Sequence, residues 1–239
     1  MPSGALTAPC FCAMTERYIQ ASRAILLDPA SEPSEVAALG SGWPQRKVRR
    51  MSTLGILLAT LVEEAPPATN AAVFYATTYT EARSLERYLE SLPDASPTRF
   101  QTSIHPGGIE QALILAGLPV EALYPLAGEE YLVSQSFQLA LNNERDKAVI
   151  YGGEESGTWL ADLGIASRCS FAFALHIDDN PTDALGSLRW VEAGAGDDGP
   201  DHARPAGPTL FDVAAALSAR KPLAWTSPFG RFDLEWHLP

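Results

Sequence analysis

Lysine is nearly missing from this sequence. Lys47, Lys147 and Lys221 are its only three, set against 29 acidic residues and a net charge of −12. Phosphate contacts depend on Lys and Arg, so a nucleic-acid role is excluded as a main activity. Docking on anionic lipid is excluded on the same ground. Cysteine is scarce: Cys10 and Cys12 lie one residue apart, and Cys169 is distant. An odd number without repeated spacing is no disulfide framework and points to a reducing, cytoplasmic setting. No apolar run approaches the length that spans a membrane. The N-terminus lacks the basic start and apolar stretch of a secretory signal.

The motifs of several chemistries are missing too. There is no Walker-type phosphate loop and no dinucleotide glycine fingerprint; Gly107-Gly108 and Gly152-Gly153 are isolated pairs. No G-x-S-x-G elbow occurs. Ser156 follows an apolar run but stands beside Glu154 and Glu155, which oppose formation of its alkoxide. His105, His176, His202 and His237 share no ligand spacing with each other or with cysteine, so no metal and no cofactor is expected.

What is present is core material: 46% of the 239 residues are apolar, enough for one large domain. Residues 1–13 lack any period and read as a disordered extension. Arg17 to Leu27 reads as a strand. In Arg49 to Glu63, Leu54, Leu57, Leu58 and Leu61 fall at helical spacing behind the caps Ser52 or Thr53. Ala71 to Thr77 is wholly apolar, as in a strand buried on both faces. Thr80 to Leu92, Gly107 to Leu118 and Gly128 to Leu141 read as helices, with a loop over Pro93 to Pro106. Glu121 to Leu126, Lys147 to Gly152 and Ser170 to Ile177 read as strands, the last as an edge strand beside its predecessor. Together, residues 14–177 predict an α/β layered domain with a mostly parallel five-stranded sheet flanked by helices. Residues 178–208 are rich in Gly, Asp and Pro and read as an exposed loop. Residues 209–239 supply a helix and a strand packed on the same domain.

One stretch is more specific. SPTRFQTSIHPGGIEQALILAGLP, from Ser96, then a short strand, a helix and DKAVIYGGEE, resembles the N-terminal half of β-ketoacyl synthases of the thiolase fold. It is similar to a subgroup of synthase-like proteins with an SP..F..SVHN...G segment. The upstream RRMSTLGILLATL, from Arg49, resembles that subgroup as well. The likeness covers about residues 45 to 177, roughly one half of a ketosynthase. SIHPGG departs from the pattern in having no Asn after His105.

The resemblance implies a thiolase-like fold and a site where a short strand runs into a helix. In ketosynthases that junction holds a cysteine, whose thiolate is favoured by the helix N-terminus and takes an acyl group from a carrier protein. Here the junction is Leu126 to Glu130, and the position matching the nucleophile is Gly128. No Cys, Ser or Thr stands there, and the second half with its histidines is missing. The resemblance therefore implies a non-catalytic subunit of the chain-length-factor type, a pseudoenzyme. It would pair as a heterodimer with an active ketosynthase in aryl-polyene, polyketide or fatty-acid biosynthesis, within a 3-oxoacyl carrier-protein synthase complex acting as an acyltransferase. The carrier protein would be engaged only indirectly, and a homodimer of the isolated chain stays open. Phe100, Ile104, His105 and Ile109 are the acyl-pocket or interface candidates. Two alternatives also stay open: an enzyme acting alone on acyl thioesters through His105 with Ser103 or Glu110, and an acyl-chain or carrier-protein binding module.

Overall fold

A computed structural model describes residues 14–94, 96–193 and 207–237; the extension over residues 1–13 and His202 lie outside the described residues. In chain order the elements are β1 (Met14–Leu26), α1 (Glu32–Leu39), α2 (Gln45–Val48), α3 (Thr53–Glu64), β2 (Ala72–Thr77), α4 (Ala82–Leu89), α5 (Pro97–Thr102), α6 (Gly107–Ala116) and β3 (Ala122–Ala127). They continue with α7 (Leu132–Leu141), β4 (Lys147–Glu154), α8 (Trp159–Asp162), β5 (Phe171–Asp178), β6 (Gly186–Val191), α9 (Leu210–Ala219), β7 (Leu223–Ser227) and β8 (Gly230–Trp236).

The leucine stripe of α3 is buried as its spacing requires: Leu54, Leu57, Leu58 and Leu61 are all 0% exposed. The helix starts at Thr53 because the Ser52 hydroxyl accepts the Gly55 N–H at 2.9 Å. All six residues of β2 are buried, so the strand is covered on both faces. The helix α9 opens on a reciprocal capping box between Thr209 and Asp212.

The strands form one eight-stranded sheet in the order β3-β2-β4-β5-β1-β6-β8-β7. It is mixed, which corrects the expectation of a mostly parallel five-stranded sheet. Only β2–β3 and β2–β4 pair in parallel; the other five pairings are antiparallel. Parallel pairing needs a long crossover, and helices supply one from β2 to β3 and from β3 to β4. The strand β5 does pair with β4, but β1 covers its other side, so it is not an edge.

The stretch 178–208 is also corrected. It contains β6, in which Leu188 (0% exposed) and Trp190 (6%) alternate into the core. The strand is short and its neighbours are Gly, Asp and Pro, so the two inward residues gave too weak a period. Pro228-Phe229 forms the tight turn between β7 and β8, with Gly230 at φ +132°. The supposed loop at Pro93 to Pro106 holds α5, begun by Pro97 behind the Ser96 cap.

Two cores flank the sheet. One lies under α3 and α6 and includes Val73, Tyr75, Val149 and Tyr151. The other lies under α7 and α9 and includes Phe74, Ile150, Phe173, Leu188 and Phe232. The last three strands thus join the second core rather than building one of their own.

Candidate functional site

In the parallel set β2, β3 and β4, the C-terminal ends converge with the start of α7, the region where ligands commonly bind in open α/β sheets. The chain leaves β3 at Ala127, turns through Gly128 at φ +155°, and reaches Tyr131 at φ +60° as the N-cap of α7. A positive φ in a bulky residue is unfavourable and marks a sharply bent junction. The helix begins later than its apolar pattern indicates. Tyr131 rather than Gly128 therefore stands at its start, and Gly128 sits earlier in the bend. The Tyr131 phenol is pushed above its ordinary range, chiefly by its hydrogen bond with Glu130. Its ring meets Phe229 edge-on at 6.1 Å.

Beside this bend lies a cavity of about 330 Å³, walled by Thr78, Tyr79, Leu132, Glu154, Phe171 and Leu210, among others. Glu154 ends β4 and is 3% exposed. Its carboxyl accepts the N–H of Thr78, the N–H of Tyr79 at 3.0 Å and the Thr77 hydroxyl at 3.2 Å. Burial raises its pKa to about 7 in spite of those donors. Next to it, Glu155 accepts the N–H of Thr53 at 2.8 Å and of Ser84 at 3.1 Å, and burial again pushes its carboxyl up. Glu81 takes the Gly108 N–H at 2.6 Å, with the Tyr75 hydroxyl at 3.5 Å; its pKa is raised to about 7 by burial. Glu86 accepts the N–H of Thr158 at 2.7 Å and of Leu160 at 2.9 Å. These four glutamates are at most 3% exposed. Glu154 fastens the loop after β2 at the cavity wall, and the other three tie loops to the starts of helices.

Sequence reasoning missed them because their partners are far along the chain. A signal did exist: two carboxylates directly continuing the buried strand KAVIYG cannot go into a core unpaired.

The residues weighed in the sequence for chemistry or for an acyl pocket are placed as follows. Ser156 donates to Glu32 at 2.9 Å, and its N–H goes to Ser170 Oγ at 2.8 Å; it is a buried structural link. His105 stacks on Tyr75, with ring centroids 5.1 Å apart, and burial lowers its pKa, so it is neutral at physiological pH. Neither ring nitrogen has a partner among the described residues, and the Ser103 hydroxyl donates instead to the Phe100 carbonyl at 2.8 Å. No His105–Ser103 or His105–Glu110 relay is therefore assembled. Ile109 is 0% exposed in the seam of α3 and α6, which makes it a core residue and not an interface candidate. Phe100 and Ile104 are exposed, at 49% and 44%. His176 lies on β5 with its pKa lowered to about 4 by burial, and His237 faces the Ala184 carbonyl at 3.2 Å. No helix among the described residues is long and apolar enough to cross a membrane.

No family model matches the sequence, and no curated protein does. Among solved structures, a ketosynthase in complex with its chain length factor, from Xenorhabdus doucetiae, is similar at a TM-score of 0.61 and 16% identity. That match covers 92% of this chain and 98% of that one, so the two chains are nearly equal in length. An HMG-CoA synthase from Bacillus subtilis aligns at a TM-score of 0.41 and 11% identity, over 72% of this chain and 42% of its own. The ketosynthase from module 6 of the bacillaene synthase of Bacillus subtilis 168 aligns at 0.40 and 15%, over 74% and 41%. These last two scores are too low to carry weight. Three parallel strands with α7 rising from their bend, together with the match along nearly the whole chain, give this protein the thiolase-like fold of the ketosynthases.

Proposed function

We propose that this chain is a non-catalytic, ketosynthase-like subunit of the chain-length-factor type, which pairs with an active ketosynthase and shapes its acyl pocket. The observation that carries the reading is the bend from Gly128 to Tyr131. Its four residues carry no thiol and no aliphatic hydroxyl, and the one phenol there is held away from ionisation by Glu130; Ser134, in the first turn of α7, is fully buried and its Oγ accepts the Trp225 indole N–H at 3.0 Å. A thioester has nothing to form on, so the chain contributes structure rather than chemistry. The setting is cytoplasmic biosynthesis of an aryl-polyene pigment, polyketide or fatty-acid-like chain. The net charge of −12 favours a partner bearing Arg and Lys and repels an acidic carrier protein, which docks on the active subunit.

Co-purification tests this. Tagged chain purified from its own host should carry a ketosynthase, and condensation should need both chains. Incubation with acyl thioesters followed by intact-mass measurement should leave this chain unmodified. A covalent acyl adduct on it, or a complex that never forms, defeats the proposal. The cavity of about 330 Å³ favours a second reading, an acyl-binding module without a synthase partner. Native mass spectrometry of the isolated chain with free acyl ligands separates the two.

A further inference from the structure

A second cavity, of about 340 Å³, lies on the opposite face of the sheet from α7 and away from the bend. The helices α3 and α6 run side by side in the same direction. The Ser52 N–H before α3 donates to Gln111 in the first half of α6 at 3.3 Å, and the last residues of both helices wall the cavity. From that end the chain goes on to enter β2 and β3, whereas the bend stands where β3 finishes.

The cavity is lined by Trp43, Leu115 and Leu118 together with small side chains such as Ala59 and Ala112. Glu63 is its one charged residue, and no Lys, Arg or His lines it. Glu63 is exposed and accepts the Trp43 indole N–H at 3.2 Å, while its neighbour Glu64 pairs with Arg23 at 3.5 Å. Among the described residues no cation pairs with Glu63, and the one side-chain donor in the wall is already spent on it.

The sequence sharpens this polarity. A helix leaves its last carbonyls to N–H groups beyond its end. Those of Val62 and Glu63 would fall to Pro66 and Pro67, which have no N–H to give. On α6, Gly117 at φ +67° turns the chain back, so the N–H groups of Gly117 and Leu118 serve Ile114 and Leu113. The Leu115 carbonyl would fall to residue 119, again a proline. Two helix C-termini, each the negative end of its dipole, thus meet at one aromatic cavity that carries a carboxylate.

An anion is repelled there. A neutral apolar molecule fits the walls but gives nothing to the carboxylate or the carbonyls. A primary ammonium brings a positive charge and three N–H donors, and an apolar body behind it covers Leu115 and Leu118. Trp43 adds attraction for a cation held close to its ring. One exposed carboxylate is a weak anchor alone, so the selectivity comes from its acting together with the two helix ends.

We infer that the cavity between the C-terminal ends of α3 and α6 is a binding site for a small primary amine, taken as its ammonium ion on an apolar or aromatic body. The inference does not depend on the proposed function.

NMR of the backbone amides and indole N–H groups of the full chain tests it, with titrations of phenethylammonium, 2-phenylethanol and phenylacetate. The three probes share one body and differ in the charge of the head. Phenethylammonium should bind saturably with a Kd of ~1 mM and shift the Trp43 indole N–H and the amide of Leu118. 2-Phenylethanol should bind about tenfold more weakly, and phenylacetate should not bind measurably. Glu63→Gln, at an exposed position that the fold does not need, should weaken the amine about threefold. Ala116→Phe, at the exposed last residue of α6, should fill the cavity and abolish binding. The inference is overturned by an amine that does not bind, that binds no better than the alcohol, or that leaves the Trp43 signal unmoved. Unchanged amine affinity in either folded variant overturns it as well.

Discussion

Replacing Glu154 by Gln tests whether the buried carboxylates hold the site in the manner described. The Glu154 carboxyl has an ordinary pKa of 4.5 and one of about 7 in the fold, chiefly because burial penalises the anion. A raised carboxylate pKa means that the native state holds its proton more tightly than the unfolded chain does. The stabilisation is complete below pH 4.5 and is lost as the pH rises through 7. At about 1.4 kcal/mol for each tenfold in proton affinity, the full loss is about 3 kcal/mol. Glutamine is neutral at every pH and keeps one acceptor for the Thr78 or Tyr79 N–H. Urea unfolding of wild type and Glu154→Gln from pH 4.5 to 8 should give similar stabilities at the acid end and diverge upward. The variant should escape about 3 kcal/mol of the wild type's decline. Comparing the two curves removes the contribution of Glu81, whose pKa is raised in the same direction. If both curves fall in parallel across that window, the Glu154 charge is not what the fold suppresses, and the reasoning fails.

Three further outcomes are expected. Leu57→Ala empties a fully buried position between α3 and the sheet and should cost about 2 to 5 kcal/mol in denaturant unfolding. In Gly152→Ala the new Cβ would meet Phe173 Cζ at 2.4 Å; that ring is 0% exposed and has nowhere to go, so a loss of about 1 to 3 kcal/mol should appear in the same assay. Tyr131→Phe should leave the condensing rate of the co-purified complex unchanged; a fall of tenfold or more would give the phenol a part in the chemistry.

The legibility of this fold follows from how locally each element is determined. The helix α3 carries its own cap and its own apolar stripe, and β2 is apolar throughout, so both could be read from a dozen residues. The same holds for the likeness to ketosynthases, which rests on contiguous segments. The added strands could not be read so. In β6 only Leu188 and Trp190 mark the period, and β7 has five residues. Their strand character comes from pairing across the sheet: β6 with β1 and β8, and β7 with β8. The position of the bend was not legible. Where α7 begins is set by the strained turn at Tyr131, which apolar spacing does not encode. The loop staples were hidden most completely, because Glu154 reaches back 76 residues to Thr78 and Glu155 reaches 102 to Thr53.

Those staples also fix what the helix N-termini at this end of the sheet can offer. A helix N-terminus presents unpaired N–H groups and a positive dipole end, which in an acyl-transferring site favour a thiolate. Here carboxylates have taken such positions. Glu155 binds the first N–H of α3 and an early one of α4, Glu81 one of α6, and Glu86 one of α8. Each interaction ties a loop to a helix start. At the start of α7, where no buried glutamate binds, the chain offers Glu129, Glu130 and a bent tyrosine instead of sulfur. Tyr131→Cys should therefore not create a fast acyl acceptor. The thiol would face Glu130 in solvent with no compensating cation, and its thiolate would be disfavoured. Iodoacetamide should alkylate it no faster than an ordinary exposed cysteine at neutral pH; a markedly faster reaction would mean that the dipole of α7 dominates over Glu129 and Glu130 and would refute the argument.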